Sequence, residues 1–393
     1  MKRYRLIMVL SAVILGTAIV LNTARNTNTW ICSAAEIEAR TGLTFDWFTS
    51  SGHSPADDQP KEATKGYQFT LPVKIGLTFS DFSIDILAGF ANTQFTLSGG
   101  GTRSLATSLD TKLNFAYPVS GQLPLPFDLL LGLDLNLPTG RTSLKEEDLV
   151  LLEGQDLVSV TSFGEGLNLN PTVSLAREWE NWAYGFGLGY VFRGKYDYCS
   201  TLKEYDPGDI LNFTAQLRYD FLSRYQARFF TDYAYFSKDT VKGKDSFQEG
   251  DFFLLGLGIT YNQSAWDVSA NLQSILRGKS KLAEGAAYTP ALSTEDKNSH
   301  GSEWIAGLSY RYALNTRTSL KPQVEFLWAD ENDYPSQDPL YQGKKQKFSL
   351  GVGASRQISS RFDADVLVKG FVLNQNDRDY EGISLTALLT ALF

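Results

Sequence analysis

Few side chains in this sequence could act as a nucleophile, a general base or a metal ligand. The chain has two histidines, His53 and His300, and two cysteines, Cys32 and Cys199. Neither histidine lies in an HExxH motif or in the spacing of a Ser-His-Asp set, and no phosphate-binding glycine motif is present. We therefore predict that the protein is not an enzyme and holds no metal and no cofactor. A hydrolase that uses one of the histidines is the alternative.

Charged side chains recur on one side of segments in which polar and apolar residues alternate. Between Leu211 and Phe221, for example, every second residue is apolar and Arg218 belongs to the polar set. Since successive residues of a strand point to opposite faces, such charges share one face. We predict that they line a water-filled interior. The candidate pore-lining charges are Asp85, Asp110, Asp128, Asp134, Arg218, Arg228, Arg311, Lys321, Asp363 and Asp365.

Two interpretations of these charges are open. The basic residues come from the middle of the chain, whereas most acidic ones come from segments nearer its ends. A basic wall facing an acidic wall would order polar solutes and select them by charge. Alternatively, the charges form local pairs that brace a wall in contact with water.

The elements that must position these residues are about sixteen alternating segments (14–18), each near the length of a strand that crosses a bilayer at a tilt. Short and long connections alternate between them, which is typical of short periplasmic turns and longer outer loops. We predict an all-β fold, a transmembrane antiparallel up-and-down β-barrel over residues 36–393, with a soluble all-β protein as the alternative. The segments begin near Thr41, Tyr67, Phe82, Ser104, Phe127, Leu167, Trp182, Asp209, Arg224, Asp251, Ala265, Ser302, Thr316, Lys347, Arg361 and Glu381.

The N-terminus has the pattern of an export signal. Basic residues precede an uncharged apolar run from Leu6 to Leu21, and Ser33-Ala34-Ala35 supplies the small residues of a cleavage site. We predict a signal peptide over residues 1–35. A retained membrane anchor is one alternative. A lipoprotein modified at Cys32 is another, although Ile31 stands where a small residue is expected.

The rest of the sequence indicates the partners. Aromatic residues flank the short turns, as at Trp179 and Trp182, and such rings favour the boundary between lipid and water. The final alternating segment ends at Phe393, which resembles the C-terminal signal read by the barrel-insertion machinery. The net charge of −8 argues against a nucleic-acid partner. We predict the outer membrane of a Gram-negative bacterium, with the lipid bilayer, lipopolysaccharide and the insertion machinery as partners.

The longest connection, residues 140–166, is more apolar than a solvated loop needs to be. Acidic residues at Glu146 to Asp148 are followed directly by Leu149-Val150-Leu151-Leu152. The loop could fold into the mouth of the barrel as a constriction, or it could pack on the rim.

Short motifs in the middle of the chain carry a family resemblance. Leu137-Pro138-Thr139-Gly140 ends one strand, Gly164-Glu165-Gly166-Leu167 opens the next, and a Gly/aromatic hairpin runs from Trp179 to Tyr190 before Pro207-Gly208-Asp209. This order resembles an outer-membrane family associated with the meta pathway of phenol degradation. The resemblance implies a transport barrel for aromatic or other hydrophobic molecules.

We therefore predict a pore that passes small solutes by passive diffusion. The alternative is a structural sheath in which the barrel holds a periplasmic or redox partner protein.

Overall fold

The computed structural model describes residues 36–51, 63–119, 127–283, 292–338, 340–375 and 378–393. The predicted signal peptide and His53 lie outside these residues. No helix among the described residues is both long and apolar enough to cross a membrane.

Antiparallel strands make up most of the described chain. In chain order the elements are β1 (Glu36–Ser51), β2 (Ala63–Thr78), β3 (Ser83–Leu97), β4 (Thr102–Ser108), β5 (Thr111–Pro118), β6 (Asp128–Leu137), a 3₁₀ helix (Glu146–Leu152), β7 (Asn168–Trp179), β8 (Trp182–Arg193), β9 (Tyr205–Asp206), β10 (Ile210–Phe221), β11 (Tyr225–Phe236), β12 (Asp239–Val241), β13 (Lys244–Gln248), β14 (Phe252–Asn262), β15 (Trp266–Arg277), β16 (Lys281–Ala283), β17 (Leu292–Thr294), β18 (Glu303–Asn315), β19 (Thr318–Ala329), β20 (Lys345–Gln357), β21 (Phe362–Gln375) and β22 (Arg378–Leu392).

The long strands close into one barrel. Each pairs with its neighbours along the chain, and β22 pairs with β1 from Glu38↔Leu392 to Ser51↔Asp379. Strands β4 and β5 both pair with β3 and are two halves of one strand, so the closed barrel has 16 strands. The predicted fold and strand number are confirmed. Among the described strands, closure leaves no unpaired edge in the lipid, where a free N–H or C=O would be costly.

The two faces of the barrel wall differ in chemistry. In the β10–β11 pair, Leu217 and Phe229 lie opposite each other and are 38% and 41% exposed on the outer face. The next pair, Arg218 and Arg228, lies on the inner face. The same alternation runs round the wall, with apolar side chains outside and mostly polar ones inside, as a membrane barrel requires.

The aromatic residues predicted near the short turns form a chain of ring contacts on the outside. The ring centroids of Trp182 and Tyr219 are 4.3 Å apart, and those of Tyr225 and Tyr261 are 4.7 Å apart. Trp266 continues the chain, 5.2 Å from Tyr261. Such a girdle is typical of a boundary between membrane and water.

At the other end of the barrel, three successive long loops build a small second sheet. Its five strands are β9, β12, β13, β16 and β17. Ring contacts among Tyr196, Tyr198 and Tyr205 hold the first of these loops together. Burial raises the pKa of Tyr196 to about 12, so the ring stays neutral. Cys199 of the same loop is buried as a free thiol.

Candidate solute pathway

All ten candidate pore-lining charges lie where the interior can be reached. Nine occupy inward positions of the barrel strands, as the Arg218↔Arg228 and Asp134↔Asn170 registers illustrate. Asp110 lies at the break between β4 and β5. Their part in conduction stays a prediction.

Several charges of the lumen form local pairs. Arg218 contacts Glu178 at 2.9 Å and Asp220 at 3.3 Å, and Arg311 pairs with Asp267. Of the two interpretations, local pairing rather than a basic wall facing an acidic wall describes Lys321 and Asp365, because these two lie 3.3 Å apart. Pairs this exposed to water add little stability, so their effect is to brace the wall and cancel charge locally.

Residues 140–166, hereafter the inward loop, fold into the barrel. Val150 and Leu151 of the 3₁₀ helix and Phe163 are buried against Phe48 and Phe95. Phe48 is inward, because its neighbour in β1, Trp47, is 39% exposed on the outer face. Phe95 lies on the same inner face, since Phe48 and Phe95 are both register partners of Gly66 in β2. Of the two predicted alternatives, constriction of the mouth is the one that the structure favours.

Hydrogen bonds fix the inward loop to the wall of β1 and β2. The side chain of Gln68 donates to the Val160 carbonyl at 2.7 Å and accepts from the Val160 N–H at 2.8 Å. The N–H of Ser159 donates to the Asp46 carboxylate at 2.9 Å. Because Gln68 and Asp46 are buried, losing either partner would leave a polar group without compensation.

The inward loop extends as far as β20. Lys345 Nζ lies 2.8 Å from the carboxylate of Asp156, and Lys347 donates to the Asp156 carbonyl. Since β20 and β6 lie on opposite sides of β1 in the strand order, the loop covers a broad arc of the inner wall.

Asp110 anchors both ends of the inward loop. One carboxylate oxygen accepts from the N–H of Gly140 at 2.8 Å, and the other accepts from the N–H of Glu165 at 2.7 Å and from Asn136 Nδ2 at 2.7 Å. Asp110 is predicted from the sequence to line the wall, but its role as an anchor is not. The signal was the run Leu109-Asp110, which interrupts an alternating segment.

The wall formed by β7, β8, β10 and β11 lies outside the arc that the inward loop covers. A recess of about 690 Å³ opens on its inner side at the end near the short turns, and a second of about 380 Å³ adjoins it. Ser174, Gly187, Thr214 and Asp232 line both recesses. Together they give a continuous path along a wall of small and polar residues.

His300 has no catalytic surroundings within the described part of the chain. Its backbone N–H donates to Asn298 Oδ1, and its ring makes no hydrogen bond to a described side chain. Burial and the nearby Arg277 lower the pKa of His300, so the ring is neutral at pH 7. The described residues also contain no group of three or more potential metal ligands.

A closed barrel with an apolar outside and a polar inside defines this chain as an outer-membrane β-barrel. Residues 113–287 match the model of the family described as "Putative MetA-pathway of phenol degradation". The predicted resemblance is confirmed over this segment, and the chain is placed in the bacterial outer membrane.

Several solved outer-membrane proteins are similar in shape. The CymD monoaromatic hydrocarbon channel shares 12% identity, covering 90% of this chain and 88% of that chain, with a TM-score of 0.41. An anion-selective porin from Comamonas acidovorans shares 12% (91% and 98% covered, TM-score 0.40), and OccK3 (OpdO) of Pseudomonas aeruginosa shares 10% (91% and 95% covered, TM-score 0.45). Because these TM-scores are low, the evidence for the fold is the strand pairing within this chain and not the similarity to these structures. The chain matches none of the curated proteins.

Proposed function

We propose that this barrel is a passive outer-membrane pore for small solutes. The observation that carries the proposal is a closed 16-stranded barrel with a polar inner wall, narrowed on one side by the inward loop. Barrels of about this strand number leave an aqueous channel. The chain carries out no chemistry on its solute: diffusion down a gradient is the whole process.

Small aromatic molecules are the solute class that the family match supports. A narrowed channel suits them, because it excludes large solutes. Its polar wall also forms hydrogen bonds with water and with the hydroxyl groups of the solute. Lipopolysaccharide around the barrel and the insertion machinery acting on the strand that ends at Phe393 complete the proposed set of partners.

Planar-bilayer recording tests the pore. Purified protein that is folded should produce discrete conductance steps, and millimolar phenol should reduce the current. Swelling of liposomes in neutral sugars of increasing size should show a sharp cut-off. A folded barrel that gives neither steps nor swelling would contradict the proposal.

The structural sheath is the second candidate, and one observation weighs against it. A protein held in the lumen would need the inner wall that the inward loop covers, where Leu151 and Phe163 are fully or almost fully buried. Co-purification of a stoichiometric partner that blocks conductance would instead favour the sheath.

A further inference from the structure

Three residues of neighbouring strands form a stack on the inner wall. The ring of Phe230 lies directly over Gly256, where an added Cβ would be 2.1 Å from its Cζ atom. The guanidinium carbon of Arg228 lies 4.7 Å from the centre of the same ring. Glycine at 256 thus makes room for the ring, and the ring supports the guanidinium in a fixed orientation.

Arg228 has a charge that the described residues do not neutralise. It makes no ion pair among them, whereas Arg218 directly opposite it is bound by Glu178 and Asp220. Like charges directly across a strand pair are destabilising. Arg218 and Arg228 lie opposite each other, and Arg228 has no carboxylate partner among the described residues. This arrangement therefore destabilises the barrel, and an anionic ligand would offset the destabilisation.

Space for a ligand exists beside the stack. Arg228 and Phe230 line the recess of about 690 Å³, and Gly185 and Gly187 form part of its floor. Side chains are missing there, so a small molecule could lie flat against the wall.

Two further carboxylates restrict which anion fits. Asp128 and Asp232 line the same recess, and neither forms an ion pair or hydrogen bond with a described residue. A second negative group on the ligand would be repelled by them, whereas a hydroxyl or ammonium donor would be accepted.

We infer that Arg228, supported by Phe230, is a subsite for the carboxylate of a small monocarboxylate that carries a hydrogen-bond donor at its other end. The planar fork of a guanidinium matches a carboxylate through two parallel hydrogen bonds. This inference rests on the proposed pore and names the solutes that would pause inside it.

Block of the ionic current by 4-hydroxybenzoate tests the subsite, with phenol as the uncharged comparison. We expect 4-hydroxybenzoate to interrupt the wild-type current. In Arg228→Gln its half-blocking concentration should rise by about tenfold, the loss expected for one hydrogen-bonded charged contact. Arg228→Lys should lie between, because it keeps the charge but loses the fork. Block by phenol should not change.

Arg40→Gln is the matched control, because Arg40 is an exposed inward arginine of β1, away from the recess. Its half-blocking concentration for 4-hydroxybenzoate should equal that of the wild type. Equal block of the wild type and Arg228→Gln would overturn the subsite while leaving the pore intact. If the folded barrel did not conduct, the proposed pore would be wrong. Calorimetric titration of the detergent-solubilised protein with 4-hydroxybenzoate would then decide the subsite. Binding heat that is seen in the wild type and in Arg40→Gln but lost in Arg228→Gln would support the subsite, and no binding heat in the wild type would overturn it.

Discussion

At the scale of single residues, Asp110 joins the wall to the inward loop. Its carboxylate accepts from Gly140, Glu165 and Asn136, so each end of the loop is tied to the same side chain. Asp110→Asn keeps the size but turns one acceptor into a donor. A hydrogen bond to a charged group is worth about 1.5–3 kcal/mol, so both loop ends should loosen.

Hydrogen exchange at the amides of Gly140 and Glu165 measures this effect, and we expect exchange at least tenfold faster in Asp110→Asn. Current noise in the open pore should rise as well. Asp128→Asn removes an inward carboxylate that makes no such bonds, and the same two amides should exchange there as in the wild type. Unchanged exchange in Asp110→Asn would show that the loop is held elsewhere.

His300 should make the outer loops sensitive to pH. Burial lowers the pKa of His300 in the folded loop below its ordinary value of about 6.5. Below a pH of about 6.5 the open loop therefore binds a proton at His300 more readily than the folded loop does. Stability of the loop is therefore full above that value and falls as the pH drops towards the lowered pKa. Limited proteolysis should cut the loop faster at pH 5 than at pH 7.5, and His300→Gln should remove most of that difference. An equal pH dependence in the variant would assign the effect to other groups.

At the scale of elements, the inward loop is a small core of its own inside the barrel. Leu151 of the 3₁₀ helix is fully buried in it. Leu151→Ala should cost about 2–5 kcal/mol of docking free energy, the usual range for a buried leucine. The barrel should still fold, because the strand ladders do not include the loop.

Single-channel recording would show this as larger and more variable conductance, since an undocked loop no longer narrows the mouth steadily. Leu222→Ala, at a turn residue that is 77% exposed, removes the same atoms without touching the loop core and should conduct like the wild type. A steady wild-type conductance in Leu151→Ala would mean that the loop does not control the pore.

The strands could be predicted from the sequence because their signal is local. Alternation fixes which residues face lipid, and the short turns fix which strands are neighbours, so all sixteen segments were found. The hydrogen bond between Asp110 and Gly140 and the contacts of Gln68 with Val160 could not be predicted, because they join residues 30 and 92 positions apart through a loop without periodicity. Local pairing was one of the two interpretations, but the particular pair of Lys321 with Asp365 could not be predicted, because it depends on the register across β20.

At the scale of the whole molecule, closure of the barrel brings the two ends of the described chain together. Thr44 of β1 lies opposite Thr386 of β22, with their hydroxyl oxygens 3.3 Å apart on the inner face. Directly opposed residues of antiparallel strands have Cα atoms about 4.5–5.5 Å apart, which suits a disulfide. Thr44→Cys with Thr386→Cys, in a chain whose native cysteines are replaced by serine, should therefore form a cross-link.

Because the pair faces the lumen, an oxidant dissolved in water can reach it. The disulfide closes the unfolded chain into a loop, so the boiled protein should migrate differently on a gel without reductant than with reductant. Thr44→Cys with Thr390→Cys is the matched control. Thr390 pairs with Arg40, four residues away along β1, so this second pair should stay reduced. Cross-linking of the control alone would mean a shifted register between the first and last strands. If neither pair cross-linked in a folded, membrane-inserted protein, the wall would be open at this seam, and the sealed lumen on which the pore depends would not exist.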